Sequence, residues 1–406
     1  MSDPDENAFA GLPFFGEMIK SMTSGGPLQW DVARQVAMTT ATGASSATGA
    51  ISATGAGGAE ANVDPADRIA LEALANIANL HVEAATGLST SPGKMPRTLL
   101  VVNRSTWCHH TLEAYKPLFT ELATSLSASQ ATASTTDLET QDPMAKMMAG
   151  LTKMMAPAMM GMSVGSMVGT MAKHSFGQYD IPLPREPVQQ MLLVPANINS
   201  FAADWSLPID DVRMWVLLQE LTAHAVLGVQ CVRDTVIATV RSYVAGFRPN
   251  PTALFERMSN IEITGDDPMA ILQKFLTDPT LILGAVRSPE QEAISPVLDA
   301  QIAAIMGFID HNVDTAAAKV LGSGSRIAEA ARRRRVEASP NDIFVEQLLG
   351  LRLSRQQLER GRAFIAGVVE RGGGNGVAQL FSALGNLPTP SELDAPGLWL
   401  ARLEVQ

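Results

Sequence analysis

Glu220 and His224 stand four residues apart in an apolar run, so on a helix their side chains share one face, one turn apart. Such a pair can hold a metal ion or a proton. It can equally satisfy itself inside a core, where mutual pairing offsets desolvation and no activity is needed. Asp310 and His311 form a second acid–imidazole pair, but adjacent helical residues point about 100° apart, so only one of them faces a given site. Cys108, His109 and His110 diverge in the same way, and no second Cys/His cluster completes four zinc ligands. His81 and His174 are isolated and read as surface or interface side chains.

The strongest basic run, Arg332 to Arg335, wraps around a helix instead of forming a stripe, with Glu329 and Glu337 within pairing distance along the sequence. It reads as a structural or solvated face. No G-x-x-x-x-G-K-S/T phosphate loop and no G-x-S-x-G nucleophile elbow occurs, so nucleotide and serine hydrolysis lack support. Gly372, Gly373 and Gly374 follow Arg371 without a preceding strand and read as a helix end turning into the next helix.

The elements that position these residues are helical. With 46% hydrophobic and 17% charged residues the chain folds, and 5% aromatics beside 20 methionines favour a mostly α architecture over a β-sandwich. A net charge of −11 opposes a continuous phosphate-binding surface and argues against nucleic acid as a partner. Two cysteines build no disulfide framework, and the acidic start lacks the basic-then-apolar order of a secretory leader, so a reduced, cytoplasmic setting is expected.

Trp30 to Arg34 starts a short helix, followed by a small-residue tract from Thr39 to Ala61 in which Ala-Thr-Gly-Ala occurs three times. Residues 1–63 are therefore expected to form an arm with a short helix and a low-complexity loop, and 64–406 a single helical domain. Asp64 caps a helix from Pro65 whose apolar positions Ile69, Leu71, Leu74, Ile77 and Leu80 have helical spacing. A helix from Ser105 to Leu126, a loop from Ser127 to Gln141 and a short strand at Leu99–Val102 follow.

The 19 residues between Lys153 and Lys173 carry no charge, and Gly161, Gly165 and Gly169 form a glycine zipper on one helix face. Ser163, Ser166 and Thr170 interrupt the apolar surface, so a buried helix is expected, with a membrane or oligomer contact as the alternative. Val188 to Phe201 is expected to pass through a short helix and a turn at Pro195-Ala196-Asn197. Val212, Trp215, Val216, Leu218, Leu221 and Val226 surround most of the helix that carries Glu220 and His224, so that helix is deeply buried. Further helices are expected near 232–245, 252–259, 268–276, 289–319, 324–337, 340–349, 354–370 and 376–383.

The segment from Trp215 through Leu217-Leu218-Gln219-Glu220-Leu221 to Arg233 resembles the metal helix of a bacterial zincin-like family. Members are described as zinc-dependent metalloproteases or as hydrolases associated with deazaflavin coenzyme biosynthesis. The resemblance also takes in Gln29 to Ala33, Arg104 to Trp107, the glycine-rich helix with Gly177-Gln178-Tyr179-Asp180-Ile181-Pro182-Leu183-Pro184, Leu193 to Asn197, Arg332 to Arg335 and Leu349 to Leu353.

Members with a complete site resemble H-E-x-x-H, where two His bind zinc and the Glu activates water. The resemblance places Gln219, Glu220 and Ala223 at those three positions, and Met306 where a downstream acidic ligand stands before a glycine. The base is kept while the ligand positions hold residues that bind zinc poorly or not at all. His224 is displaced about 100° from the second ligand position.

Two readings follow from the resemblance. The first is a pseudoenzyme, a non-catalytic scaffold or binding protein for an unidentified protein or peptide, without a cofactor. The second is an active zinc-dependent hydrolase with a rearranged site, in which Glu220 is the general base and His224 with Asp310 or His311 are ligands. Self-association as a homo-oligomer is compatible with either.

Overall fold

The computed structural model describes residues 26–43, 60–91, 96–136, 143–186, 189–247, 288–322, 324–336, 348–351 and 354–405. The described elements in chain order are α1 (Trp30–Thr42), α2 (Pro65–Thr86), β1 (Thr98–Val101), α3 (Arg104–Ala114), α4 (Lys116–Thr136), α5 (Pro143–Ala172), β2 (Gln190–Leu193), α6 (Pro195–Asp204), α7 (Ile209–Leu227), α8 (Gln230–Ala245), α9 (Pro289–Val320), α10 (Gly324–Val336), α11 (Arg355–Ala378), α12 (Pro390–Leu393) and α13 (Pro396–Val405). The architecture is mostly α, as the composition implies. The expected helices at 252–259 and 268–276, and most of that at 340–349, lie outside the described residues.

Local sequence explains the element ends. The Asp64 carboxylate accepts from the Ala66 N–H with Pro65 in the first turn of α2, and α2 stops at Gly87 with φ 68°. Pro117 follows the break at Tyr115, which divides the expected single helix into α3 and α4, because proline fits a first turn and not a helix interior. Backbone of α4 continues helically to Thr136, through residues expected to form a loop. Gln190–Leu193 forms a strand instead of the expected helix, and Pro195 opens α6 instead of a turn, consistent with proline's preference for the first helical position. β1 and β2 pair in parallel, Thr98 opposite Gln190 and Val101 opposite Leu193.

On α2 the helical spacing holds but the buried face is Leu71, Ala75, Ala78 and Val82. Ile69, Ile77 and Leu80 lie on the opposite arc of the helix and are exposed.

Gly161, Gly165 and Gly169 of α5 lie against the carbonyls of Gln29, Ala33 and Ala37. A Cβ at Gly161 or Gly169 would stand 2.5 Å from the Gln29 or Ala37 oxygen, so α1 and α5 approach backbone to backbone. Pro157 does not break α5, and its carbonyl accepts from the Gln29 N–H at 3.1 Å.

α7 is the central helix. Every residue from Met214 to Leu227 is buried, and α2, α6, α9 and α10 pack around it. α9 is long and apolar enough to cross a membrane, with mean hydropathy 1.4, yet 72% of that window is buried inside the protein as a core helix is. Gly307 of α9 faces Gly361 of α11, whose missing Cβ leaves room for the Ala303 carbonyl.

Candidate functional site

α7 carries Glu220 and His224 into the core, both with 0% exposure. The partner that organises them is the segment between α5 and β2. The Val194 N–H donates to the Phe176 carbonyl at 2.8 Å and Gly177 bridges Leu193, so residues 176–177 run antiparallel beside β2. The chain then turns over Glu220. Asn197 of α6 donates to the Ala172 and Ser175 carbonyls at 2.9 and 2.6 Å, and the Trp107 indole donates to the Gly177 carbonyl at 2.7 Å. The Asp180 carboxylate accepts from the Phe176 and Gly177 N–H groups at 2.6 and 3.1 Å, closing a tight turn.

That turn presents two donors to Glu220. The Gln178 and Tyr179 N–H groups donate to Glu220 Oε2 at 2.8 and 3.0 Å. Glu220 Oε1 is buried and has no partner among the described residues. One turn further along α7, His224 Nδ1 lies 2.9 Å from the Tyr179 hydroxyl, and His224 Nε2 is buried without a partner. Tyr179 thus touches Glu220 through its backbone and His224 through its side chain. The two sequence candidates share one buried cluster and are linked by a residue between them.

Burial sets the charge state of the cluster. Desolvation pushes the Glu220 carboxyl up to about 8; the Asp180 charge adds to this, while the two N–H donors and Arg185 act in the opposite direction. Desolvation, aided by Arg97, pushes His224 down to about 4. Burial, with Glu220 second, raises Tyr179 above its ordinary value. Burial thus favours the neutral form of all three groups, the Glu220 carboxyl, the His224 imidazole and the Tyr179 phenol.

The other candidates sit elsewhere. Asp310 pairs with Arg335 at 3.3 Å, and its side chain is 12% exposed. His311 is exposed and lines a surface groove with Asp314 and Arg362. Gln219, Ala223 and Met306 are all buried, on α7 and α9. Among the described residues no three His, Cys, Asp or Glu side chains come together to hold a metal ion. At the positions the zincin resemblance assigns to ligands stand an amide, a methyl and a thioether. Zinc takes imidazole, thiolate and carboxylate, so this donor set does not fit it.

The arginines of the run are each ion-paired, Arg333 on the exposed surface and the other three in partly buried contacts. Arg332 pairs with Asp314, Arg333 with Glu329, Arg334 with Asp180 and Arg335 with Asp310. The Arg334 guanidinium also lies 3.6 Å from the Phe176 ring centroid and donates to the His174 carbonyl, pinning the turn over Glu220. Sequence reasoning noticed Gly177 to Pro184 as a run but gave Gly177, Tyr179 and Asp180 no role. Only the pairing of residues 176–177 with β2 places them on Glu220. No local pattern marks Gly177 either, since the close approach of a Cβ there to the Glu220 carboxyl carbon, 2.5 Å, exists only in the folded chain.

Residues 28–400 match the model of a family described as zincin-like metallopeptidase. A crystal structure from Chloroflexus aurantiacus, described as "a putative hydrolase with a novel fold", superposes with a TM-score of 0.56. It is 19% identical, and the match covers 93% of this chain and 99% of that one, so the fold is shared. No curated protein matches the sequence.

Proposed function

The chain belongs to the zincin-like metallopeptidase family, and on that premise we propose that it is a non-catalytic member, a helical scaffold that binds a protein or peptide instead of hydrolysing one. The observation that carries this reading is the enclosure of Glu220. A general base must come within hydrogen-bonding reach of the proton it abstracts. Glu220 has no exposed surface, its Oε2 is engaged by two backbone N–H groups, and Gly177 walls its carboxyl carbon. The amide, methyl and thioether of Gln219, Ala223 and Met306 support the same reading, because they do not supply the ligands a metallopeptidase uses. In this reading Glu220 is a structural acid that holds the 176–180 turn against α7, and the family fold is retained as a framework.

The test is hydrolysis of a pool of fluorogenic peptides by the full chain with added zinc, next to Glu220→Gln. The reading expects the same background rate from both proteins. Turnover by the wild type that Glu220→Gln abolishes would contradict it.

A further inference from the structure

α2 packs on α7 and buries Leu71, Ala75, Ala78 and Val82, while its outer arc carries a second apolar stripe. Ile69 and Leu80 are 66% and 69% exposed and Ile77 is 47% exposed, with exposed alanines at 66, 73 and 84 between and beyond them. Steps of three and four residues keep these six positions in line along the helix. Single exposed leucines are ordinary on a protein surface, but three large side chains in one stripe form the kind of patch that marks contact with another molecule.

The charges beside the stripe identify the molecule that fits it. At about 100° per residue Arg68, Glu72 and Glu83 fall along one edge, and Ala70, Leu74 and His81 along the other. Arg68 and Glu72 are exposed and Glu83 is half-buried. Glu83 Oε1 accepts from the Thr90 N–H and hydroxyl, both at 3.2 Å, and Oε2 accepts no hydrogen bond among the described residues. The charged edge thus runs from basic to acidic and matches its own reverse. A second α2 laid parallel would set Arg68 against Arg68 and each glutamate against itself. Laid antiparallel, about a twofold axis midway between Ala73 and Ile77, each Arg68 comes beside the other copy's Glu83, and each Glu72 beside Asn79. The same operation brings Ile77 onto Ala73, Ile69 onto Leu80 and Ala66 onto Ala84, so large and small side chains meet at the centre and small ones at the ends.

We propose that the outer face of α2 binds a second copy of this chain, as an antiparallel helix pair about that twofold axis. The face points away from α7, so the proposal is independent of whether Glu220 acts in catalysis. Three large side chains per copy cover less than the about 800 Å² per partner of a standard interface, which makes the dimer weak and reversible, with a dissociation constant on the order of 100 μM. A net charge of −11 on each chain adds a repulsion that physiological salt screens.

The experiment is sedimentation equilibrium of the full chain at neutral pH and physiological salt, over concentrations from well below to well above that constant. The average mass is expected to rise from that of one chain toward that of two, without larger species. Leu80→Glu, an exposed position given a good helix former, is expected to raise the dissociation constant at least tenfold with the fold intact by circular dichroism. Arg68→Glu is expected to raise it severalfold, through repulsion from the other copy's Glu83, and Arg68→Lys less than twofold. A mass of one chain at every concentration would overturn the proposal and leave the stripe to a different partner. A dimer that Leu80→Glu does not weaken, or on which Arg68→Glu and Arg68→Lys act alike, would overturn it as well. None of these outcomes bears on the non-catalytic reading, which falls to Glu220-dependent turnover or a retained metal.

Discussion

Gly177 and Glu220 are in direct opposition: a Cβ on Gly177 would stand 2.5 Å from both the Glu220 carboxyl carbon and Oε2, and 2.7 Å from the Leu192 carbonyl oxygen. The turn is tied internally by the Asp180 carboxylate and anchored by the Trp107 indole and by the Gly177 bridge to β2, which resist its retreat. Gly177→Ala is therefore expected to destabilise the protein by about 1–3 kcal/mol through overpacking. Denaturant unfolding checks this, and a change below about 0.5 kcal/mol would show that the turn is free to move.

The buried carboxyl gives stability a direction with pH. Because the folded Glu220 keeps its proton up to about 8, its contribution is complete below the ordinary carboxyl range and is lost as pH rises through 8. His224, pushed down to about 4, contributes stability above its ordinary value that is lost as pH falls through 4. The two slopes oppose each other between the ordinary carboxyl and imidazole values, and above the latter Glu220 acts alone. Stability is thus expected to decline from about pH 6.5 to 8, by at most about 1.4 kcal/mol per pH unit for this single group. Glu220→Gln is expected to flatten that limb and to exceed the wild type in stability above pH 8. An unchanged pH profile in the variant would contradict the assignment.

Tyr179→Phe removes the hydroxyl from His224 Nδ1 and leaves a second buried ring nitrogen without a partner. The expected loss is about 1–3 kcal/mol, the range for a buried polar atom left unpaired. A double-mutant cycle with His224→Leu measures the pair, and additive effects would show that the 2.9 Å contact is not coupled.

Arg334 stacks on Phe176 while pairing with Asp180. Arg334→Lys keeps the charge and loses the planar face, so it is expected to recover less than half of the stability lost in Arg334→Ala. Full rescue by lysine would show that charge alone pins the turn.

Much of this arrangement was legible in the residues. The apolar circumference around Glu220 and His224 announced a buried α7, and the three glycines of α5 announced a close helix approach, because both signals are local and periodic. Gly373 kinks α11 with φ 59° and ψ −160°, an extended positive-φ conformation open to glycine and different from the left-handed helix cap that the glycine run suggests. What escaped depends on tertiary partners. Ile69, Ile77 and Leu80 have the spacing of a core stripe, but the arc that is buried carries Leu71, Ala75, Ala78 and Val82. Gln190 to Leu193 is a strand because β1 lies beside it, and no periodicity in four residues distinguishes it from a helix start. Tyr179 acquired its place from that strand, through the Gly177 bridge to Leu193. Arg185 lay in a proline-rich stretch that gave no hint of burial, although its residue is only 5% exposed.

The central claim is that the family's metal position is vacated, and the most direct measurement is metal content. Untagged protein is equilibrated with zinc, freed of loosely held ion and analysed by elemental mass spectrometry, beside a variant carrying Gln219→His, Ala223→His and Met306→Glu. The account predicts no retained zinc in the natural chain and about one per chain in the triple variant, whose donors match those zinc prefers. About one zinc per natural chain, abolished by His224→Ala, would contradict it.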